Sequence, residues 1–162
     1  MKFAVRAQKG IMLSDPLIIR SVINTDFAQW LPLWQGYNRF YGRNHMPDII
    51  TQTTWSRFCD ETEPVYAIVA ELNGKLVGLA HYLFHRTTTR VDLNCYLQDL
   101  FTDENTRGQG VANQLIGEVY KRAQAAGSHR VYWQTQANNL IARKLYDKVA
   151  ENNGFIVYSK QI

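Results

Sequence analysis

The chain has 162 residues, of which 46% are hydrophobic and 20% charged, and its formal net charge is +4. This composition favours one folded domain over residues 1–162 with a sizeable core, and excludes a disordered chain. No apolar run approaches the ~20 residues of a membrane-spanning helix, and the charge is too small to indicate a nucleic-acid partner, although it suits an anionic small ligand.

Residues 1–16 are hard to interpret, and 1–11 could be an extension ahead of Met12. The pattern of apolar residues, caps and turn residues predicts ten elements after that. In chain order they are strand 17–22, helix 27–41, helix 49–58, strands 65–72, 76–84 and 92–102, helix 111–126, strand 130–136, helix 138–151 and strand 155–160. This order predicts an α/β (α+β) fold, with helices on both faces of a mixed sheet.

The cysteines and histidines of the sequence indicate neither a metal site nor a redox motif. Cys59 and Cys95 match no metal or redox spacing, so we expect two buried free thiols in a cytoplasmic protein. His81 and His85 share a strand face but would lie about 13 Å apart at ~3.3 Å per residue, too far to bind one ion. We therefore expect no metal site.

A glycine-rich turn joins the predicted strand 92–102 to the helix that follows. Its sequence is Arg107-Gly108-Gln109-Gly110-Val111-Ala112. Such a turn leaves backbone N–H groups free at a helix N-terminus, where they suit phosphate oxygens, although two glycines can also simply permit a tight turn. The spacing matches neither a nucleoside-triphosphate loop nor a dinucleotide fingerprint.

A second group of residues lies on the predicted helix 138–151. Asn139, Ala142 and Tyr146 stand at i, i+3 and i+7, so they share one helix face. An N-terminal Asn and a core Tyr would explain two of them. The functional interpretation is an amide for a ligand's polar arm, space for a chain, and a phenol that can protonate a leaving thiolate.

Together the two groups resemble the conserved blocks of the GNAT family of N-acetyltransferases. The strand end Gln98-Asp99-Leu100-Phe101-Thr102 is similar to the family's fourth strand, and Asn139 to Tyr146 with Gly154-Phe155 is similar to its later block. The aromatic first helix resembles the histone/polyamine acetyltransferase-like branch, which tends to form dimers or tetramers.

The resemblance implies a single splayed mixed sheet flanked by helices, with acetyl-CoA as co-substrate. Its pyrophosphate would bind the backbone of the turn and its pantetheine arm would lie along the strand end. Arg107 and Arg143 could meet CoA phosphates or be surface charges. The implied cofactor-binding residues are Leu100, Phe101, Thr102, Arg107, Gly108, Gln109, Gly110, Val111, Ala112, Asn139, Ala142 and Arg143.

The implied reaction is attack of a free amine on the thioester. Tyr146 is the candidate proton donor. Asp99 is the candidate base, with a water relay, or an amine that arrives neutral, as the alternative. Gln98 stands where related diamine acetyltransferases have Glu, and strand alternation puts its side chain opposite to that of Asp99.

The acceptor is the open question. Tyr37 and Tyr41 are candidates to line its site, together with Gln98. A small-molecule amine such as a polyamine or amino acid is our first expectation. The alternatives are a protein lysine or N-terminal amine, and an acyl-CoA-binding sensor without turnover. We also expect a homodimer or homotetramer, in which a partner covers the edge of the last strand.

Overall fold

The computed structural model describes residues 16–162, so the predictions for residues 1–15 lie outside the described residues. In the described part, five strands form one sheet in the order β1-β2-β3-β4-β5, antiparallel except for the parallel pair β4 and β5. The elements are β1 (Ile18–Ser21), α1 (Phe27–Phe40), α2 (Asp48–Phe58), β2 (Val65–Leu72), β3 (Lys75–His85), β4 (Asn94–Thr102), α3 (Val111–Ala125), β5 (Arg130–Tyr132) and α4 (Leu140–Val149). The predicted fold class is confirmed.

Helices cover both faces of the sheet because each presents one apolar side. On one face α1 contributes an aromatic cluster to the core, with Trp30, Leu33, Trp34 and Tyr37 buried against the sheet. On the other face α3 buries Val111, Leu115, Ile116, Val119 and Ala123 at helical spacing. The predicted buried face of this helix is therefore confirmed.

The sheet opens along β4, as predicted. Only three residue pairs join β4 to β5, and the last of them is Tyr96 with Tyr132. Beyond Tyr96, one edge of β4 has no strand beside it in the described part of the chain. The backbone groups of the strand's second half are therefore available on that side.

The predicted last strand, 155–160, is wrong. Residues 151–162 form neither strand nor helix, and Phe155 and Tyr158 are 87% and 88% exposed. The β-forming sequence alone does not make a strand, because a strand needs an edge to pair with. Here the segment does not pair with β5, whose outer edge is free within the described residues.

The expected burial of both thiols is half correct. Cys95 is buried on β4, and burial raises its pKa to about 11. Cys59 is exposed, because it lies just past the C-terminal end of α2 rather than in the core. None of the helices described between residues 16 and 162 is long and apolar enough to cross a membrane.

Candidate functional site

The glycine-rich turn adopts the backbone conformation that its sequence requires. Gly108 and Gly110 have φ of 78° and 82°, in the left-handed region that glycine enters without strain. A Cβ at either position would touch nothing within 4 Å, so conformation rather than space demands glycine. Gly110 caps the N-terminus of α3, which begins at Val111.

This turn leaves a row of free backbone donors. The first helical hydrogen bond of α3 runs from the N–H of Gln114 to the carbonyl of Gly110. The N–H groups of residues 108–113 have no partner among the described residues. Free N–H groups and the positive end of the helix dipole together make an anion site. Arg107 lies beside it, paired with Glu104 at 3.4 Å and above the ring of Phe101.

The free edge of β4 continues from this turn. Leu100, Phe101 and Thr102 lie beyond the last β5 pair, so their backbone on that side can accept an added chain. The hydroxyl oxygen of Thr102 is buried without a partner in the described structure. A flexible arm rich in amide groups fits this edge, because it can pair as a pseudo-strand and satisfy an orphan hydroxyl.

A β-bulge changes where the side chains of β4 point. His81 pairs with Asp99 and Tyr82 pairs with Leu97, so Gln98 has no opposite residue on β3. Leu97 and Leu100 both pack towards α3. Asp99 contacts His81 on the α1 side, and Gln98 lines a cavity beside α2.

The expectation that Gln98 and Asp99 face opposite ways is therefore wrong. A bulge inserts one extra residue and locally breaks the alternation of a strand. Both side chains consequently face the layer formed by α1 and α2. Asp99 is thus placed on the same face as its neighbour at position 98.

Asp99 is held by a buried hydrogen-bond chain that the sequence did not reveal. The Nε1–H of Trp30 donates to Nε2 of His81 at 3.0 Å, and Nδ1 of His81 lies 2.9 Å from Oδ2 of Asp99. Trp30 is fully buried, His81 is 3% exposed and Asp99 8%. Spacing along β3 could not predict this role of His81, because its partners lie on α1 and β4.

Several tyrosines gather around Asp99. Burial, and then the nearby Asp99 carboxylate, raise the pKa of Tyr37 above its ordinary value. Burial, and then the neighbours Tyr132, Asp99 and Tyr41, raise that of Tyr96. Burial and then Tyr41 raise the pKa of Tyr146 to about 12. Asp99 thus influences Tyr37 and Tyr96, and Tyr41, whose ring centroid lies 5.1 Å from that of Tyr37, influences Tyr96 and Tyr146.

The start of α4 uses its polar side chains internally. Asn139 is the N-cap: its Oδ1 accepts from the N–H of Ala142 at 3.4 Å, and its Nδ2 donates to Thr135 at 3.1 Å. Arg143 donates to the carbonyl of Ala137 at 2.8 Å. Ala142 is half-buried. The amide of Asn139 is therefore already engaged in capping, and a ligand would have to compete for it or share it.

Beside α2 lies a small cavity that sequence reasoning missed. It measures about 190 Å³, and its lining combines Arg57 and Gln98 with mainly apolar surface. Its lining residues are Thr54, Arg57, Phe58, Val65, His81, Tyr82, Leu83 and Gln98. Within residues 16–162, no three His, Cys, Asp or Glu side chains come together as a metal site would need.

Comparison with known proteins agrees with this geometry. The model of the acetyltransferase (GNAT) family matches residues 27–150. The D-amino-acid N-acetyltransferase HPA3 of Saccharomyces cerevisiae is 34% identical over 151 residues, which cover 92% of this chain and 93% of that protein. The uncharacterized N-acetyltransferase YhfO of Bacillus subtilis is 25% identical, with 86% and 94% covered.

Solved structures with a similar fold include enzymes of known reaction. The aminoglycoside N-acetyltransferase AAC(6')-Iy in complex with CoA has a TM-score of 0.80 at 17% identity, and the match covers 93% of this chain and 98% of that one. At this identity the likeness is one of fold.

Proposed function

The chain belongs to the GNAT family of acetyltransferases, and on that premise we propose that it acetylates the primary amine of a small molecule, with amino acids as the first acceptor class. It is an N-acetyltransferase, and acetyl-CoA is its co-substrate. The observation that carries the proposal is the free edge of β4, which runs from the anion-binding turn back to Asp99.

The direction of β4 orders the site. The strand ends at Thr102, next to the turn, so an arm anchored by its pyrophosphate on residues 109–112 would run back along Thr102, Phe101 and Leu100. The far end of that arm would then reach the bulge at Gln98 and Asp99. Arg107, which lies above the ring of Phe101 beside the turn, is our first candidate to meet a phosphate group, and Arg143 is the second.

The residues of the chain can balance the protons of the reaction. When bound, acetyl-CoA supplies a thioester whose carbonyl carbon a neutral amine can attack, forming the C–N bond as the C–S bond breaks. A cationic acceptor loses two protons in all. Asp99 accepts the first and passes it to solvent. The phenol of Tyr146 donates a proton to the leaving sulfur and is restored by the second proton of the amine nitrogen.

The cavity beside α2 favours an amino acid as acceptor. Arg57 is one of the residues that line this cavity, and a guanidinium can hold a carboxylate through two hydrogen bonds. Its side chain is 54% exposed and lies 3.8 Å from Glu63, so its present ion pair is loose. HPA3, the yeast relative, is by name a D-amino-acid N-acetyltransferase. The polyamine branch indicated by the sequence stays a prediction.

The acceptor class is tested with a panel of amines, following thiol release from acetyl-CoA. D- and L-amino acids should be used better than the corresponding amino-acid amides, which keep the amine but lack the carboxylate. Arg57→Gln should raise the KM for the acid and leave the KM for the amide unchanged. Spermidine and a lysine peptide complete the panel. Equal use of acid and amide would contradict the role of Arg57, and preference for the peptide would contradict a small acceptor.

We also propose that the protein assembles through its C-terminal segment, residues 153–160. An open groove of about 1350 Å³ lies between this segment and the free edge of β5. Its lining is mixed, with Val131, Trp133 and Val149 among the apolar side chains and Arg143 and Asp147 among the charged ones. The segment's consecutive Phe155, Ile156, Val157 and Tyr158 are all residues that favour a strand. A strand exchanged with a second copy would cover both the segment and the groove. The cytoplasm remains our proposed compartment, on the sequence alone.

A further inference from the structure

A buried Trp–His pair stands behind the carboxylate that the reaction would use. Building on the proposed function, we propose that Trp30 and His81 are positioning residues, which hold the Asp99 carboxylate in one orientation as the base for the acceptor amine. Neither residue belongs to the predicted site, and both act through Asp99.

The donors and acceptors fix the tautomer of His81. An indole N–H can only donate, so Nε2 of His81, 3.0 Å from Nε1 of Trp30, must be the unprotonated nitrogen. The single ring proton is therefore on Nδ1, and it points at Oδ2 of Asp99. A second proton, on Nε2, would place two N–H donors against each other, and the hydrogen bond from Trp30 would be lost. The chain thus makes His81 a donor to Asp99 through Nδ1.

Packing holds this chain in place. The indole of Trp30 stacks on Trp34 with ring centroids 5.6 Å apart and lies 5.0 Å from Trp55. The ring of Phe58 lies 4.4 Å from that of His81. Because aromatic neighbours surround both rings, neither ring can turn without disturbing the core formed by α1 and α2. Asp99 is consequently anchored at one oxygen.

The donor at Oδ2 suits the role of base that we propose for Asp99. A hydrogen bond donated to a carboxylate favours its charged form, which is the form that accepts a proton. The other titratable groups near the pair are the phenols of Tyr37 and Tyr96, with Arg43 above the ring of Tyr37, and Arg57 lines the small cavity that His81 also lines. Phenols and guanidinium groups ordinarily titrate above pH 9. A loss of rate below pH 8 therefore does not arise from these phenols or guanidinium groups.

The test compares two substitutions of His81. His81→Gln keeps both hydrogen bonds, since its amide can donate to Asp99 and accept from Trp30. His81→Leu removes both. We expect His81→Leu to lower kcat at least tenfold at pH 7 and to move the acid limb of the pH–rate profile to higher pH. His81→Gln should stay within about threefold of the wild type with the limb in place.

Two controls separate positioning from stability. His85→Gln changes a histidine on the same strand that bonds Tyr132 and Arg86 instead of Asp99, and should leave the profile unchanged. Thermal unfolding shows whether each variant is folded. Equal damage in His81→Gln and His81→Leu, or a normal profile in His81→Leu, would overturn the proposal.

A readout without turnover keeps this test apart from the proposed function. In ¹⁵N-histidine NMR spectra, Nδ1 of His81 should carry the proton and Nε2 should be unprotonated, and Trp30→Phe, which removes the donor to Nε2, should allow the other tautomer. A wild-type His81 protonated on Nε2 would overturn the hydrogen-bond chain even if the enzyme is active. An intact tautomer in a protein that acetylates no amine would instead overturn the proposed function, and with it the role in catalysis.

Discussion

Asp99 is the residue whose surroundings most constrain the chemistry, because one of its oxygens already accepts a hydrogen bond from His81. Asp99→Asn tests its charge with little change of shape, since the Asn oxygen can still accept from Nδ1 of His81. The base acts in its ionised form, so the wild-type rate should fall as pH falls. We expect Asp99→Asn to lower kcat about 10²-fold or more and to abolish that acid limb.

The measurement for Asp99 is a pH–rate profile from pH 3.5 to 9 at saturating acetyl-CoA, because aspartate carboxylates ordinarily titrate near pH 4. If the acid limb of the profile lay at the same pH in Asp99→Asn as in the wild type, the proton of the amine would be accepted by a water relay or by another residue.

Tyr146 makes the complementary prediction for the leaving group. With a pKa of about 12, its phenol keeps its proton throughout the neutral range, so the donor form is lost only as pH rises towards 12. Tyr146→Phe should lower kcat by about 10²-fold while the Kd for CoA changes little. Calorimetric titration with CoA and steady-state kinetics provide the two numbers. If the wild-type rate already fell as pH rose towards 10, and this fall were absent in Tyr146→Phe, the pKa of about 12 for the donor would be contradicted.

Single residues differed in how far the sequence could predict them. Gly108 and Gly110 were predictable because their need is local: a backbone with positive φ. His81 was not, because its partners are 18 and 51 positions away in the chain. Cys59 was placed wrongly because burial depends on where α2 ends relative to the core.

At the scale of the elements, replacing two glycines by alanine, one in the turn into α3 and one within α3, should have opposite effects on stability. Gly110→Ala should cost about 1–2 kcal/mol, because an L-residue is strained in the left-handed conformation of this N-cap. It should also raise the KM for acetyl-CoA by moving the free N–H groups. Gly117→Ala, in the same helix with open space around it, should stabilise by about 0.5–1 kcal/mol.

Chemical denaturation and acetyl-CoA kinetics of both glycine variants check this prediction. If Gly110→Ala left the KM for acetyl-CoA unchanged, the turn would not be the cradle for the co-substrate.

The elements also show where sequence patterns stop being informative. The buried face of α3 follows from the periodicity of its apolar residues. The dipeptide Asn73-Gly74 is typical of a tight hairpin turn, and both residues adopt the positive φ that such a turn needs. The bulge at Gln98 has no such local sign, since it is a mismatch between β3 and β4. The strand predicted at 155–160 failed for a related reason: its sequence suits a strand, but no edge pairs with it among residues 16–162.

At the scale of the whole molecule, the C-terminal segment predicts assembly. The full chain should be a dimer or tetramer by light scattering at micromolar concentration. Val157→Asp should shift it towards monomer, because the substitution would place a charge where an apolar side chain packs against the apolar part of the groove. Val91→Asp changes an even more exposed valine, 96% against 63%, which does not line this groove, and should leave the assembly unchanged. A wild-type monomer at this concentration would contradict strand exchange between copies.

The most direct test of the whole account is a stoichiometric assay of the wild-type protein. Thiol release from acetyl-CoA is followed with and without an amino-acid acceptor, and the acetylated amine is counted by mass spectrometry. The account predicts that thiol release depends on the amine and matches the N-acetylated product one for one. Acetyl-CoA binding without amine-dependent thiol release, for any amine of the panel, would contradict it and would indicate a sensor instead of an enzyme.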